Sequence, residues 1–199
     1  HSRKNAGRPA EVALDEMAVL VARARSAGLA ARVGLQCVFG CVYEGEIAEE
    51  KVLAAAGRLA TAGAGEINLA DTTGMANPRS IRRMMGRLHG AFPGMRFSLH
   101  LHDTRGLGLA NLLSGYEAGV RSFDVCAGGL GGCPFVTGAA GNVAAEDTVH
   151  LFESMGIPTG IDLRALCRAV AFLEEALGRS LPGKTCGVLA TERGFVACA

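Results

Sequence analysis

Short apolar runs alternate with longer stretches of helical period along most of the chain. Four runs, Val33–Phe39, Glu66–Ala70, Arg96–Leu101 and Ser122–Cys126, are too short for helices and are bounded by glycine or polar residues. Each predicts a strand. Helices are predicted from about Pro9 to Ser26, Glu46 to Thr61, Pro78 to Gly90, Leu107 to Glu117, Ala145 to Met155 and Asp162 to about Gly178. Their ends carry the usual punctuation. Asn77-Pro78 pairs an N-cap with proline at the first helical position, and Gly28, Gly63, Gly119 and Gly156 stand where helices stop. The stretch after Leu181 shows little pattern.

Strand–helix repetition of this kind predicts an α/β protein with a parallel sheet, either a doubly wound sheet or a (β/α) barrel. A closed barrel needs eight units and typically ~250 residues. Only four units are visible, so the chain is an open sheet or about half a barrel.

Composition narrows the class. Of 199 residues, 49% are hydrophobic and 20% charged, with a formal net charge of +1. Disorder is excluded by that apolar content, and the balanced, interspersed charge gives no case for nucleic acid or a membrane surface. No apolar run approaches the ~18 residues a spanning helix needs, so a soluble protein is expected. The 7 cysteines are scattered through hydrophobic segments of a chain too large to need stapling. Free thiols in a reducing compartment are therefore expected. The chain begins at His1, and nothing resembles a signal peptide.

In both candidate folds, chemistry belongs where strands end. The second strand runs into Asp71-Thr72-Thr73-Gly74, the third into His100-Leu101-His102-Asp103, and the fourth into a glycine-rich stretch from Gly128 to Asn142. Residues i and i+2 of a strand share a face, so His100 and His102 would aim two imidazoles at one point, an arrangement suited to a divalent metal. The plainer alternative is a histidine hydrogen-bonded in the core. Cys133 sits among glycines before Pro134 and is either a lid thiol that moves a proton or an incidental loop cysteine. Asp71 could be a metal ligand, a partner for a histidine, or the cap of the following turn. Asn142 could ligate through its amide oxygen or close a turn. Cys37 and Cys41, spaced C-x-x-x-C without a second pair, read as buried thiols. Arg82, Arg83 and Arg87 read as a solvated helix face, and His89 as a favourable charge at a helix end.

Taken together, Leu35–Gly45, Asp71-Thr72-Thr73-Gly74, His100-Leu101-His102-Asp103-Thr104, Gly128–Asn142 and Gly156–Leu163 resemble the 3-hydroxy-3-methylglutaryl-CoA lyases, members of a metallolyase superfamily built on TIM barrels. The histidine motif is shared with related synthases and aldolases, whereas Gly-Leu-Gly-Gly-Cys-Pro leading to Gly-Asn is far more specific to the lyase branch. The resemblance implies that His100, His102 and Asn142 bind a divalent cation, Mg2+ or Mn2+. It makes Cys133 the catalytic thiol and places Asp71 and His100 among the catalytic residues. The implied reaction is retro-Claisen cleavage of the hydroxymethylglutaryl thioester to acetyl-CoA and acetoacetate, the chemistry of leucine degradation and ketone-body formation. The implied partners are an acyl-CoA substrate and a second subunit in a full-length dimer. The implied compartment is a bacterial cytoplasm or the mitochondrial matrix.

Two loop positions depart from the family: Val42 where proline is usual, and Arg105 where tyrosine is often found. The family's first-strand arginine–aspartate pair has no counterpart, and His1–Asn5 resembles the segment after the family's fourth strand. Residues 1–181 thus read as the C-terminal part of a lyase barrel, about four of its eight strands plus C-terminal helices, and 182–199 as a tail. Such a chain alone is expected to expose two sheet edges and an apolar inner face, to be unstable or self-associate, and to bind metal weakly. The competing readings are an isopropylmalate- or homocitrate-type synthase, which the Cys133 loop argues against, and a non-catalytic half-barrel.

Overall fold

A computed structural model describes residues 1–132 and 141–191. In chain order the elements are α1 (Ser2–Asn5), α2 (Ala10–Ser26), β1 (Arg32–Leu35), α3 (Glu49–Ala62), β2 (Glu66–Asp71), α4 (Pro78–Ala91), β3 (Arg96–Leu101), α5 (Gly108–Glu117), β4 (Phe123–Asp124), α6 (Ala145–Ser154), α7 (Leu163–Leu177) and α8 (Thr185–Thr191). The strands form one parallel sheet in sequence order, β1-β2-β3-β4. Four successive parallel units are the architecture of a partial TIM barrel.

The helix boundaries follow from local chemistry. Asn77 accepts from the Ser80 amide while the Ser80 hydroxyl accepts from the Asn77 amide, a reciprocal cap ahead of Pro78. Asp162 caps α7 through the Ala165 amide, and Gly178 closes it in the left-handed conformation. The C-terminal stretch, expected to lack pattern, contains α8.

One face of the sheet packs against helices. Ile67, Leu69, Leu99 and Leu101 are fully or almost fully buried with Leu59, Ile81, Met85, Leu88 and Leu112. Arg82, Arg83 and Arg87 lie on the exposed face of α4, as expected; there Arg83 and Arg87 also pair with Glu49 of α3, and Arg82 donates to the Ser114 hydroxyl of α5.

The opposite face corrects the expectation of an apolar barrel interior. Arg32 Nε lies 2.6 Å from Glu66, and its Nη2 lies 2.6 Å from Asp124 and 3.0 Å from Ser98 Oγ. Asn68 donates to Ser98, which donates to Glu66. Strand alternation puts Glu66, Asn68, Ser98 and His100 on this side, and the hydrogen bonds among Glu66, Asn68 and Ser98 make polar burial tolerable.

Seven free thiols are likewise not what the structure holds. Cys37 and Cys41 are buried and free, and Cys126 is free and half-buried. Cys167 of α7 and Cys186 of α8 form a disulfide, because the two helices bring their Cα atoms to 5.2 Å.

Candidate active site

The site grows from the C-terminal end of β3. Residues 141–145 run beside it: the Asp103 amide donates to Gly141 O, the Val143 amide to Leu101 O, and the Cys126 amide to Val143 O. This added segment pairs His102 with Asn142 across an antiparallel bridge and ties β3 to the end of β4. His102 and Asn142, 40 positions apart in the sequence, thereby become neighbours.

His100 and His102 share a face, as the i, i+2 spacing demands, and their Nε2 atoms lie 3.2 Å apart. Two protonated nitrogens would repel at that distance, so at most one carries hydrogen. Burial pushes both pKa values down, and at His102 the neighbouring His100 adds to the effect. Both rings are therefore neutral donors of the kind metals bind. Adjacent ligands of an octahedral Mg2+ at ~2.1 Å stand about 3.0 Å apart, close to the separation seen here.

Asn142 supplies a third donor. Its Nδ2 donates to Leu130 O at 2.7 Å, which fixes the amide and leaves Oδ1 as the free end. That oxygen and His102 Nδ1 are buried without hydrogen-bond partners. An orphaned buried acceptor beside two converged imidazoles fits a cation shell. Among the described residues, no cluster of three His, Cys, Asp or Glu side chains forms a complete cage, so these donors make up only part of a shell.

Asp71 stands apart. It pairs in register with Leu101, on the helix-facing side, whereas Ala70 pairs with His100. Its fully buried carboxylate accepts from the amides of Met75 and Ala76. Of the three roles open to it in sequence, the structure supports that of turn cap. Burial outweighs these amides and raises its pKa from 3.8 to about 6. A raised folded pKa favours the protonated form, so this contribution to stability is present below pH ~4 and is lost as pH rises through 6. Asp71→Asn is therefore expected to gain about 3 kcal/mol on the parent protein between pH 4 and pH 8. Denaturant melts at the two pH values measure this, and parallel pH dependences would refute it.

Three further residues take part that the sequence reading did not name as site residues. Asp124 Oδ2 lies 3.7 Å from His100 Nδ1 while its other oxygen holds Arg32, so the polar inner face continues into the site. Glu146 looks like an ordinary first-turn acid of a helix, yet it is fully buried and accepts from the Gly128 amide at 2.9 Å. Burial raises its pKa. Thr72 accepts from the Cys37 amide and donates to Gln36, locking the ends of β1 and β2 together. Alternation could have marked Asp124, but nothing in the sequence marks Glu146. Cys133 lies outside the described residues.

Glycines set the shape of the loop's two ends. A Cβ on Gly141 would lie 2.2 Å from Gly131 O and 2.6 Å from Gly129 O. Only glycine allows the backbones to approach this closely.

Comparisons with known proteins agree with this fold. The family described as HMGL-like matches residues 1–173. The (R)-citramalyl-CoA lyase of Chloroflexus aurantiacus is 44% identical over 91% of this chain and 57% of its own length. The hydroxymethylglutaryl-CoA lyase of Bacillus subtilis is 39% identical over 92% of this chain and 62% of its own. The crystal structure of the Bacillus subtilis HMG-CoA lyase superposes with a TM-score of 0.90 at 38% identity, covering 96% of this chain and 64% of that one. An HMG-CoA lyase from Acinetobacter baumannii, solved with coenzyme A and 3-methylmalate, gives 0.88 at 36% identity, covering 98% and 63%. The chain thus spans less than two thirds of these relatives. Its matched residues, its four β/α units and its close superposition place it in the HMGL-like family.

Proposed function

We propose that the protein containing this chain is a divalent-metal-dependent carbon–carbon lyase acting on a 3-hydroxyacyl-CoA with a tertiary alcohol, cleaving hydroxymethylglutaryl-CoA to acetyl-CoA and acetoacetate. The observation that carries the reading is the convergence of His100, His102 and the orphaned Asn142 Oδ1 at the strand ends. The named lyases among its relatives support it.

In this scheme, Nε2 of both histidines and Oδ1 of Asn142 hold Mg2+ or Mn2+. When bound, the cation would polarise the substrate's oxygens and stabilise developing negative charge. His100 is half-buried while His102 is almost fully buried, so His100 is the member that also meets the hydroxyl. As a base removes the hydroxyl proton, the carbon–carbon bond breaks and its electrons pass to the thioester fragment. Cys133 then donates its proton to the acetyl-CoA carbon. Asp71 acts through position, holding the 71–76 turn beside the site.

The Chloroflexus relative favours a second substrate, citramalyl-CoA. It has the same tertiary alcohol and thioester but lacks one methylene, so the same bond cleavage would release pyruvate. Offering both thioesters to the full-length protein with Mg2+ or Mn2+ decides between them. Acetoacetate is expected from the first. Pyruvate alone would favour the second, and no product from either would point to a non-catalytic half-barrel.

A further inference from the structure

The disulfide joins two helices that flank a strap running over the glycine-rich turn. Cys167 is buried in α7, and Cys186 is half-buried in the first turn of α8. Between them, residues 181–183 lie directly on Gly128 and Gly129. Leu181 packs where a Cβ on Gly128 would stand, 2.3 Å from its Cδ1, and Pro182 sits against Gly129. The Gly183 amide donates to Gly128 O. Gly183 covers the Glu146 carboxyl that receives the Gly128 amide, and the amides of Lys184 and Thr185 donate to Asp147. The turn beneath the strap leads to Leu130, whose carbonyl orients Asn142.

α8 has seven residues, too few to persist as a helix unless something holds it. The cross-link to α7 does so, and it closes a chain segment that would otherwise be free to lift.

We infer that Cys167–Cys186 is a thiol–disulfide exchange site for dithiol reductants, and that its redox state sets how firmly the strap clamps the glycine-rich turn that positions Asn142. Cys186 is the accessible sulfur. A reductant thiolate would attack its Sγ, forming a mixed disulfide and expelling Cys167 as a thiolate, which takes up a proton. The reductant's second thiol then attacks its own sulfur in the mixed disulfide and releases Cys186. The protein gains two electrons and two protons, and the dithiol becomes a disulfide.

The inference bears on activity only through the proposed function, so the test includes a measurement independent of it. Hydrogen exchange of peptides covering residues 126–132 and 141–147 is compared in the full-length protein before dithiothreitol, after it, and after reoxidation. Exchange is expected to quicken at least tenfold on reduction and to recover on reoxidation. Cys186→Ser, a change at the half-exposed partner, should exchange fast from the start and ignore dithiothreitol. If the reading of the site is also correct, reduction lowers kcat/KM for the cleaved thioester about tenfold. Exchange that is the same in both redox states overturns the inference, as does recovery of Cys167 and Cys186 as separate free thiols in the untreated protein. Absence of cleavage in every state would count against the proposed function alone.

Discussion

Gly141→Ala is expected to destabilise the protein by about 3 kcal/mol or more and to abolish divalent-cation binding. Two costs combine. Gly141 has φ +99, where a side chain is strained by roughly 1–2 kcal/mol. Its new methyl would also meet Gly131 O at 2.2 Å and Gly129 O at 2.6 Å, backbone atoms that cannot swing aside. Overpacking of this sort typically costs a further 1–3 kcal/mol. The displaced segment carries Asn142, so cation binding should fail with it. Gly160→Ala is the matched control: its φ is +73, but nothing lies within 4 Å of the added carbon. It should show the conformational cost alone. Thermal melts and Mn2+ titrations of the two variants separate the effects, and equal melts would remove the steric argument.

His102→Ala is expected to weaken Mn2+ binding on the order of a hundredfold or more, at least as much as the loss of an outer-shell partner costs a metal site. Cleavage activity should fall with it. His102 is the buried member of the pair, and its Nε2 meets that of His100 at 3.2 Å. Its loss leaves one imidazole and one amide, too few donors to hold a cation against water. His89→Ala serves as the comparison. That ring lies at the end of α4, tilted against Phe97 with centroids 5.6 Å apart, and its removal should leave the Mn2+ affinity unchanged. A titration in which the two variants bind alike would sink the assignment.

The βα order was legible because caps and glycines act locally: Asn77, Pro78, Asp162 and Gly63 each did what their chemistry dictates. Strand limits were less so. The apolar run Val33–Phe39 reads as one strand, but β1 is Arg32–Leu35. At Cys37 the backbone takes φ 57 and its amide turns to Thr72, so the ladder stops there; Val38, buried, keeps one bond to Ala70 O, and Phe39 packs partly buried against the core. The predicted strand Ser122–Cys126 is likewise reduced to Phe123–Asp124, with Cys126 given over to the 143–145 segment. His100 and His102 were readable because a period of two is a property of any strand. Asn142 was less so: the residues left ligand and turn both open, because its place depends on a bridge across the fold. The Cys167–Cys186 pairing was equally hidden, with one partner inside a helix and the other in a stretch with no pattern.

The polar inner face of the sheet governs what can be laid against it. Arg32 is shared between Glu66 and Asp124, so with His100 neutral the cluster carries more negative than positive charge. A greasy surface would accept almost any apolar neighbour, in any register. This one accepts only strands that bring hydrogen-bond donors, or a compensating cation, to matching heights. Charge and hydrogen bonding, as well as shape, thereby decide which strands can complete the sheet on this side.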